Sequence, residues 1–314
     1  MKKIKSLIIG TGAIGAYLSK LLIKKKHSVV VTSRLKRKNY RNYENLKISK
    51  KVAIKKLNIL DKKNIKKIIQ LEKPDNIFYL AGQSSLPKSF KLRRETIQSN
   101  YVGAKNFLEV LNKIKNNSKF FKANSGYILK PKNGKISLNS KLIKPNNPYV
   151  EAQQKAYKLV KKFRKKNLKC YSLIFMQIES PLRDKSFFIK KVCLHAKKKK
   201  KVIVGNINTV RDYSWIEDIV EGIYFSTFIK PCDLIFSSGS RMSGKDILKT
   251  AYRLNKLNYK KFFKINKNFI RKKELKTVIG SNNLTIKKLK KFGWKPKIIK
   301  QKLVEKIYKS LWKF

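Results

Sequence analysis

Ser6-Leu7-Ile8-Ile9-Gly10-Thr11-Gly12-Ala13-Ile14-Gly15 sets a short apolar run, a glycine turn and the start of a helical pattern in direct succession. The run Ser6 to Ile9 reads as a buried strand, and Ile14 to Lys25 as an amphipathic helix. Following a strand and opening a helix, G-x-G-x-x-G is a dinucleotide-binding pattern. Its glycines let backbone approach a pyrophosphate, and the helix N-terminus offers free N–H groups and a positive dipole end. Gly10, Gly12 and Gly15, with Ala13 and Ile14 between them, are therefore cofactor-binding candidates. Lys2, Lys3 and Lys5 ahead of an apolar stretch also have the look of a secretory signal. The interrupting glycines, Lys20 inside the stretch and the missing small-residue cleavage site favour the strand, turn and helix.

The alternation continues outward from this turn. Strand patterns lie at Ser28 to Thr32, Val52 to Leu57, Asn76 to Leu80, Lys119 to Ala123 and Leu168 to Phe175. Helical patterns lie at Lys63 to Glu72, Glu95 to Lys115 and Pro148 to Lys166. Strands separated by helices predict right-handed βαβ units on a parallel sheet. Strands near Val202 to Val204 and Asp233 to Ser237 precede helices at Ser243 to Leu257, at Thr285 to Phe292 and after Pro296. The expected class is α/β, a Rossmann-type doubly wound parallel sheet with a smaller C-terminal lobe.

Composition bounds the function classes. With 314 residues, 42% hydrophobic, the chain can bury a full core. Cys170, Cys193 and Cys232 are odd in number and form no CxxC, against a disulfide framework or zinc site. His27 and His195 are far apart, so no metal centre is expected. Lys and Arg number 79 against 17 Asp and Glu, a net charge of +62. The lysines flank every apolar run, as solvated edges do, so no specific nucleic-acid partner is expected from charge alone. No segment reaches the roughly 18 uninterrupted apolar residues of a membrane span, and a cytoplasmic protein is expected.

The ends of the strands carry the chemistry. No carboxylate stands between Gly15 and Glu44 to grip a ribose 2′-hydroxyl, whereas Ser33 and Arg34 suit a 2′-phosphate; NADP is preferred over NAD. Asn58 is placed to contact an adenine, unless that segment serves only to bring Asp61 to a helix N-cap. Leu80, Ala81 and Gly82 let a cofactor diphosphate and ribose lie against backbone, and Asn100 inside a helix implies a specific buried hydrogen bond. Ser125 and Tyr149 either set a hydroxyl and a phenol on one carbonyl oxygen, or Tyr149 is a surface residue at a helix start.

These residues resemble the extended short-chain dehydrogenase/reductase (NAD-dependent epimerase/dehydratase) family. Within it they are similar to the GDP-4-dehydro-6-deoxy-D-mannose reductases and the GDP-mannose 4,6-dehydratases. The resemblance runs over KPDNIFYLAGQSS from Lys73, the N-x-x-G at Asn100 and Gly103, and ESPLR from Glu179. It continues through VGNINTVRDYSWIEDIVEGI from Val204, the R-x-x-E at Arg271 and Glu274, VIGSN from Val278 and FGWKPKI from Phe292. It implies an NAD(P)-binding Rossmann domain at residues 1–172 and 208–234, and a nucleotide-sugar-binding lobe at 173–207 and 235–314. It implies Ser125 and Tyr149 as catalytic hydroxyls, Gln177 as a substrate contact, Arg211 and Arg271 toward the GDP phosphates or ribose, and Glu274 toward a sugar hydroxyl. A homodimer follows by the same resemblance.

The departures are specific. The family's lysine four residues after the tyrosine is Gln153, and its dehydratase carboxylate two after Ser125 is Tyr127. Lys155 does not replace Gln153, because two further residues turn it about 200° around the helix. The glycine loop is one residue shorter than the family norm. Tyr157 and Lys161 repeat the Tyr/Lys spacing, as chance matching produces in a lysine-rich chain. A dehydratase tyrosine must act first as a base, and without lysine a phenol of pKa about 10 is mostly protonated at neutral pH. A reductase tyrosine donates a proton and needs no such help. The expectation is an NADP-dependent reductase making a GDP-6-deoxyhexose for surface polysaccharide. A dehydratase or epimerase is the alternative, and a catalytically impaired nucleotide-sugar-binding homologue is another.

Overall fold

The computed structural model describes residues 3–34, 40–270 and 274–311. Seven strands form one sheet: β1 (Lys5–Ile9), β2 (Ser28–Ser33), β3 (Ala53–Lys56), β4 (Asn76–Tyr79), β5 (Lys119–Ser125), β6 (Cys170–Phe175) and β7 (Asp233–Phe236). Their order is β7-β6-β5-β4-β1-β2-β3. Every pairing is parallel; Ile8, for example, lies between Val31 and Phe78. The chain thus reverses direction across the sheet between β1 and β4, and in such sheets ligands bind beyond the carboxyl ends of the strands at that point.

The longer helices are α1 (Ala13–Lys24), α2 (Lys62–Glu72), α3 (Gly103–Lys113), α4 (Pro148–Lys165), α5 (Phe188–Lys197), α6 (Ile216–Ser226), α7 (Gly244–Arg253) and α8 (Lys300–Lys309). The sheet's inner strands are buried on both faces, as a continuous apolar strand requires, while the edge strand β3 is partly exposed. Leu7 and Ile9 pack with Ile65 and Ile68 of α2 and Phe107 of α3, while Ile8 packs with Leu18 of α1 and Ile219 of α6 on the other face. A separate core gathers Ile189 and Val192 of α5, Ile247 and Leu248 of α7, and Leu303 and Val304 of α8. The expected α/β class and doubly wound sheet are present. The strand Asp233–Phe236, across which the expected boundary at 234 falls, lies wholly in the large sheet.

Local chemistry fixes the helix starts. Asp61 caps α2 by accepting from the Asn64 N–H at 3.0 Å. Asn147 caps α4, accepting from the Val150 N–H at 2.9 Å with Pro148 in the first turn. Ser243 and Asp246 make a reciprocal capping box at α7. The expected single helix over Glu95 to Lys115 is instead Arg93–Ile97, a π-turn at Gln98–Val102, and α3. The wide turn brings Asn100 inward, where its Nδ2 donates to the Thr96 and Gln83 carbonyls at 3.0 Å each. Helices α5 and α6 and the parallel pair Gln177–Glu179 with Tyr213–Trp215 were not anticipated from the periodicity.

Candidate active site

The glycine turn fits a cofactor's diphosphate. Gly10 has φ +109°, and a Cβ there would meet the Ala81 backbone at 2.9 Å, so the ends of β1 and β4 touch through bare backbone. Nothing lies within 4 Å of the place a Cβ on Gly12 would occupy, and no side chain caps the first turn of α1. Gly82 is required for a different reason: a Cβ there would clash with Asn100 Oδ1. That same oxygen accepts from Gln153 Nε2 at 2.9 Å. Gln153 is 5% exposed, and its Oε1 is buried with no hydrogen-bond partner. A buried acceptor left unmet calls for a donor, and a ribose hydroxyl supplies one. These residues therefore fit a nicotinamide dinucleotide.

Around that turn the remaining cofactor candidates are placed differently. Arg34, at the end of β2, is paired at its Nη2 with Glu95 Oε1 at 3.1 Å, both side chains well exposed. Ser33 is buried beside it. Asn58 is exposed and uses its Oδ1 to accept from the Leu60 N–H at 3.0 Å, a local turn bond. Ile14 and Ala13 open α1, and Leu80 donates its N–H to the Ile9 carbonyl at 3.0 Å.

The hydroxyl pair lies where β5 ends. Ser125 is its last residue, and its Oγ accepts from the Tyr127 N–H at 3.2 Å. Tyr149, in the first turn of α4, is buried, not a surface residue. Burial raises its phenol above the usual tyrosine range; a hydrogen bond with Ser125 pulls it back, Tyr127 pushes it further up, and the field of Arg183 lowers it. The Tyr157/Lys161 repeat is structural. The Tyr157 hydroxyl donates to Asp233 at 2.9 Å, Asp233 is paired with Arg164 at 2.6 Å, and the Lys161 ammonium sits 5.4 Å from the Tyr157 ring centroid. Another buried cation, Lys122, bonds the Ala123 carbonyl and lies over the Tyr79 ring; burial pulls it down to about 7.

A cleft of about 530 Å³ opens beside this pair, lined by Tyr127, Asn147, Val150, Arg211, Glu274 and Val278. Arg211 Nη2 stands 3.3 Å from Glu274 Oε1, and its Nη1 donates to the Val210 carbonyl at 2.9 Å. Gln177 Nε2 donates to the Tyr127 hydroxyl at 3.1 Å. Arg271 lies outside the described residues. A groove of about 760 Å³ at the opposite end of the sheet, beside Asn76 and Lys119, is far from the hydroxyl pair and at the wrong end of the strands for a ligand.

Three buried polar groups here were not singled out as site residues from sequence. Glu179 is 2% exposed and its Oε2 has no partner; Ser180 Oγ and Arg183 Nε are likewise unpartnered. Glu179 ends a short strand and Arg183 follows in a turn, so no sequence periodicity marks the pair. Among the described residues no group of three or more His, Cys, Asp or Glu is arranged to hold a metal ion, and no helix is long and apolar enough to cross a membrane.

The family model for GDP-mannose 4,6 dehydratase matches residues 7–307. GDP-mannose 4,6 dehydratase 1 of Arabidopsis thaliana is 26% identical over 326 residues, covering 96% of this chain and 87% of its own. GDP-mannose 4,6 dehydratase of Drosophila melanogaster is 25% identical, covering 79% and 67%. In structure the chain is similar to UDP-glucose 4-epimerase of Thermotoga maritima, with a TM-score of 0.85 at 20% identity and 98% of each chain covered. It is also similar to dTDP-glucose 4,6-dehydratase of Bacillus anthracis in complex with NAD, with a TM-score of 0.84 at 15% identity and 98% and 96% covered. At those identities the structural likeness speaks for the fold. The chain belongs to the GDP-mannose 4,6-dehydratase family.

Proposed function

We propose that this family member acts as a GDP-mannose 4,6-dehydratase: with an NAD(P) cofactor it oxidises C4 of a GDP-linked hexose, water is lost across C5 and C6, and the same hydride returns to C6, leaving a 4-keto-6-deoxy sugar nucleotide. The observation that carries the reading is the buried Ser125–Tyr149 pair at the carboxyl end of β5, beside a cleft lined by Arg211 and Glu274. The dehydratase names of the curated relatives support GDP-mannose as the substrate. When bound, the nicotinamide supplies a hydride acceptor and donor. Ser125 Oγ and the Tyr149 phenol would bracket the C4 oxygen, with Tyr149 taking its proton as C4 is oxidised. Gln153 Oε1 accepts from the cofactor ribose. Arg211 faces the diphosphate, and Glu274 accepts from a sugar hydroxyl.

The test is incubation with GDP-mannose and NADP⁺ or NAD⁺, read as loss of one water from the sugar nucleotide by mass spectrometry. A specific observation favours a second reading. Burial holds Tyr149 protonated and the position two after Ser125 is a phenol, so the site is better prepared to donate a proton than to remove one. NADPH oxidation with the 4-keto-6-deoxy sugar nucleotide, without dehydration of GDP-mannose, selects the reductase expected from sequence. Binding of both ligands with neither reaction selects a catalytically impaired homologue.

Two further results are expected. Gln153→Lys places an ammonium beside the Asn100 Oδ1 acceptor and within the field of Tyr149, so kcat rises about 10- to 100-fold, corresponding to one or two units of phenol pKa. A rate at or below that of the parent argues that the phenol does not titrate in the rate-limiting step. NADP preference depends on whether Arg34 is free to meet a 2′-phosphate, and Glu95 holds it. Glu95→Gln is expected to tighten NADPH about 2- to 5-fold with NADH unchanged, the range an exposed ion pair allows. Equal effects on both cofactors, by fluorescence titration, would remove Arg34 from the phosphate site.

A further inference from the structure

A third hydroxyl stands beside the Ser125–Tyr149 pair, and its neighbours set what it can do. Tyr127 lies in the tight turn Gly126–Ile128 that follows β5, and its N–H donates to Ser125 Oγ at 3.2 Å. Gly126 and Val150, the chain neighbours of Ser125 and Tyr149, line the cleft of about 530 Å³, so its wall begins at the hydroxyl pair. Tyr127 lines it too, half-buried. From the strand Gln177–Glu179, Gln177 Nε2 donates to the Tyr127 hydroxyl oxygen at 3.1 Å. That bond takes up a lone pair of the phenol and leaves its proton to give. Among the described residues no group accepts that proton.

The other polar side chains of the cleft are engaged elsewhere. Asn147 spends its Oδ1 on the Val150 N–H at 2.9 Å and its Nδ2 on Asn146 Oδ1 at 2.7 Å. Arg211 is divided among Glu274 at 3.3 Å, the Val210 carbonyl at 2.9 Å and the Lys276 carbonyl at 3.3 Å. The chain holds 79 Lys and Arg, yet no lysine is among the described residues that line this cleft. Tyr127 is therefore the uncommitted donor that adjoins the hydroxyl pair.

We propose that Tyr127 touches the hexose, donating its proton to a sugar oxygen on one flank of C4, and that Gln177 is a positioning residue that acts only through it. The proposal rests on the GDP-hexose reading given above. A carboxylate at this place accepts from sugar hydroxyls, whereas a phenol whose oxygen is occupied by Gln177 gives a hydrogen bond. The polarity of the subsite is thereby reversed, and it selects a sugar oxygen that accepts. Gln177, expected from sequence as a substrate contact, aims its donor at Tyr127 instead.

The probes are GDP-mannose and GDP, which lacks the hexose, with affinities measured by isothermal titration calorimetry. Tyr127→Phe is expected to weaken GDP-mannose about 3- to 10-fold, the range of one neutral hydrogen bond, with GDP unchanged. Gln177→Glu keeps the shape but turns the donor into an acceptor that draws the phenol proton away from the sugar. Relative to GDP, it is expected to cost GDP-mannose as much. The double variant is expected to lose no more than either single one, since both remove the same contact. Additive losses, which a direct sugar contact of Gln177 or two independent disturbances of the cleft produce, overturn the proposal. So does a Tyr127→Phe protein that binds GDP-mannose as the parent does. If Gln177→Glu does not fold, Gln177→Met takes its place in the additivity comparison. A parent that does not bind GDP-mannose removes the reading of the site and the proposal together. Parent binding that Tyr127→Phe leaves unmoved removes the proposal alone.

Discussion

Tyr149→Phe is expected to lower kcat about 10²- to 10⁴-fold, the range for removal of a general acid or base, with little change in fold. The hydroxyl is the only part of the side chain deleted, and its aromatic body stays buried at the start of α4. Its hydroxyl partner is not orphaned, because Ser125 Oγ keeps the Tyr127 N–H at 3.2 Å. Removing a polar group whose partner remains satisfied is nearly neutral for stability. Cofactor and sugar-nucleotide affinities, which the proposal assigns to the glycine turn, Gln153 and Arg211, are expected to stay within a few-fold of the parent. Turnover of both GDP-mannose and the keto sugar is measured, since either direction passes its proton through this oxygen. Unchanged turnover would falsify the assignment of Tyr149, and with it both readings of the reaction.

Much of the fold was legible because it depends on local signals that lysine cannot erase. The glycine turn needs backbone conformations that only its own residues permit, as Gly10 at φ +109° demonstrates. The strands of the large sheet are short apolar runs with little tolerance for charge, and they stood out against a basic background. Asp61 was legible as a helix cap, and the structure adds Asn147 and Ser243 as the caps of two further helices. Helix α5 was lost for the converse reason: Phe188-Ile189-Lys190-Lys191-Val192 carries lysines on the side of the helix that faces solvent and Pro181, which blurs its period. The π-turn at Asn100 could not be anticipated, because its cause is tertiary. Gly82 leaves room for the Asn100 side chain, and Gln153 reaches it from α4, 53 residues along the chain.

The same distinction divides the site. Ser125, Tyr149 and Gln153 were found as a pattern, and the structure adds what the pattern lacked: the unmet Gln153 acceptor and the direction of the Tyr149 shift. Arg34 was read as open to a phosphate, and Glu95 was invisible as its partner because they are 61 residues apart. Arg183 was quoted within ESPLR but given no role, and its bond to the Ile178 carbonyl is made by a short strand that the periodicity did not show. Pairings across such distances are made by the sheet, and a single sequence does not display them.

Asp212→Ala is expected to destabilise the protein by on the order of 3–5 kcal/mol and to raise KM for the sugar nucleotide. Asp212 is fully buried next to Arg211. Its Oδ1 accepts from the Ser238 N–H at 2.8 Å and the Ser238 hydroxyl at 2.7 Å, and its Oδ2 from the Gly239 N–H at 3.0 Å and the Gly280 N–H at 3.3 Å. One carboxylate thus joins the loop after β7 to the strand Thr277–Gly280, on which Val278 lines the cleft. Burial pushes the carboxyl up, and these donors pull it back by favouring its charged form. Alanine takes this acceptor from the N–H groups of Ser238, Gly239 and the buried Gly280; hydrogen bonds to a charged group contribute about 1.5–3 kcal/mol each, less at the exposed Gly239, where water replaces the carboxylate. Asn is a poor rescue, because its amide presents a donor to donors. A drop in melting temperature on the order of 10 °C follows for a chain of this size. Arg211→Ala, by contrast, is expected to leave the melting temperature within a few degrees while raising KM, since the Arg211–Glu274 pair opens on the cleft. If Asp212→Ala melts with the parent, the clamp is not what holds Arg211 in place, and the shape of the substrate cleft must be set elsewhere.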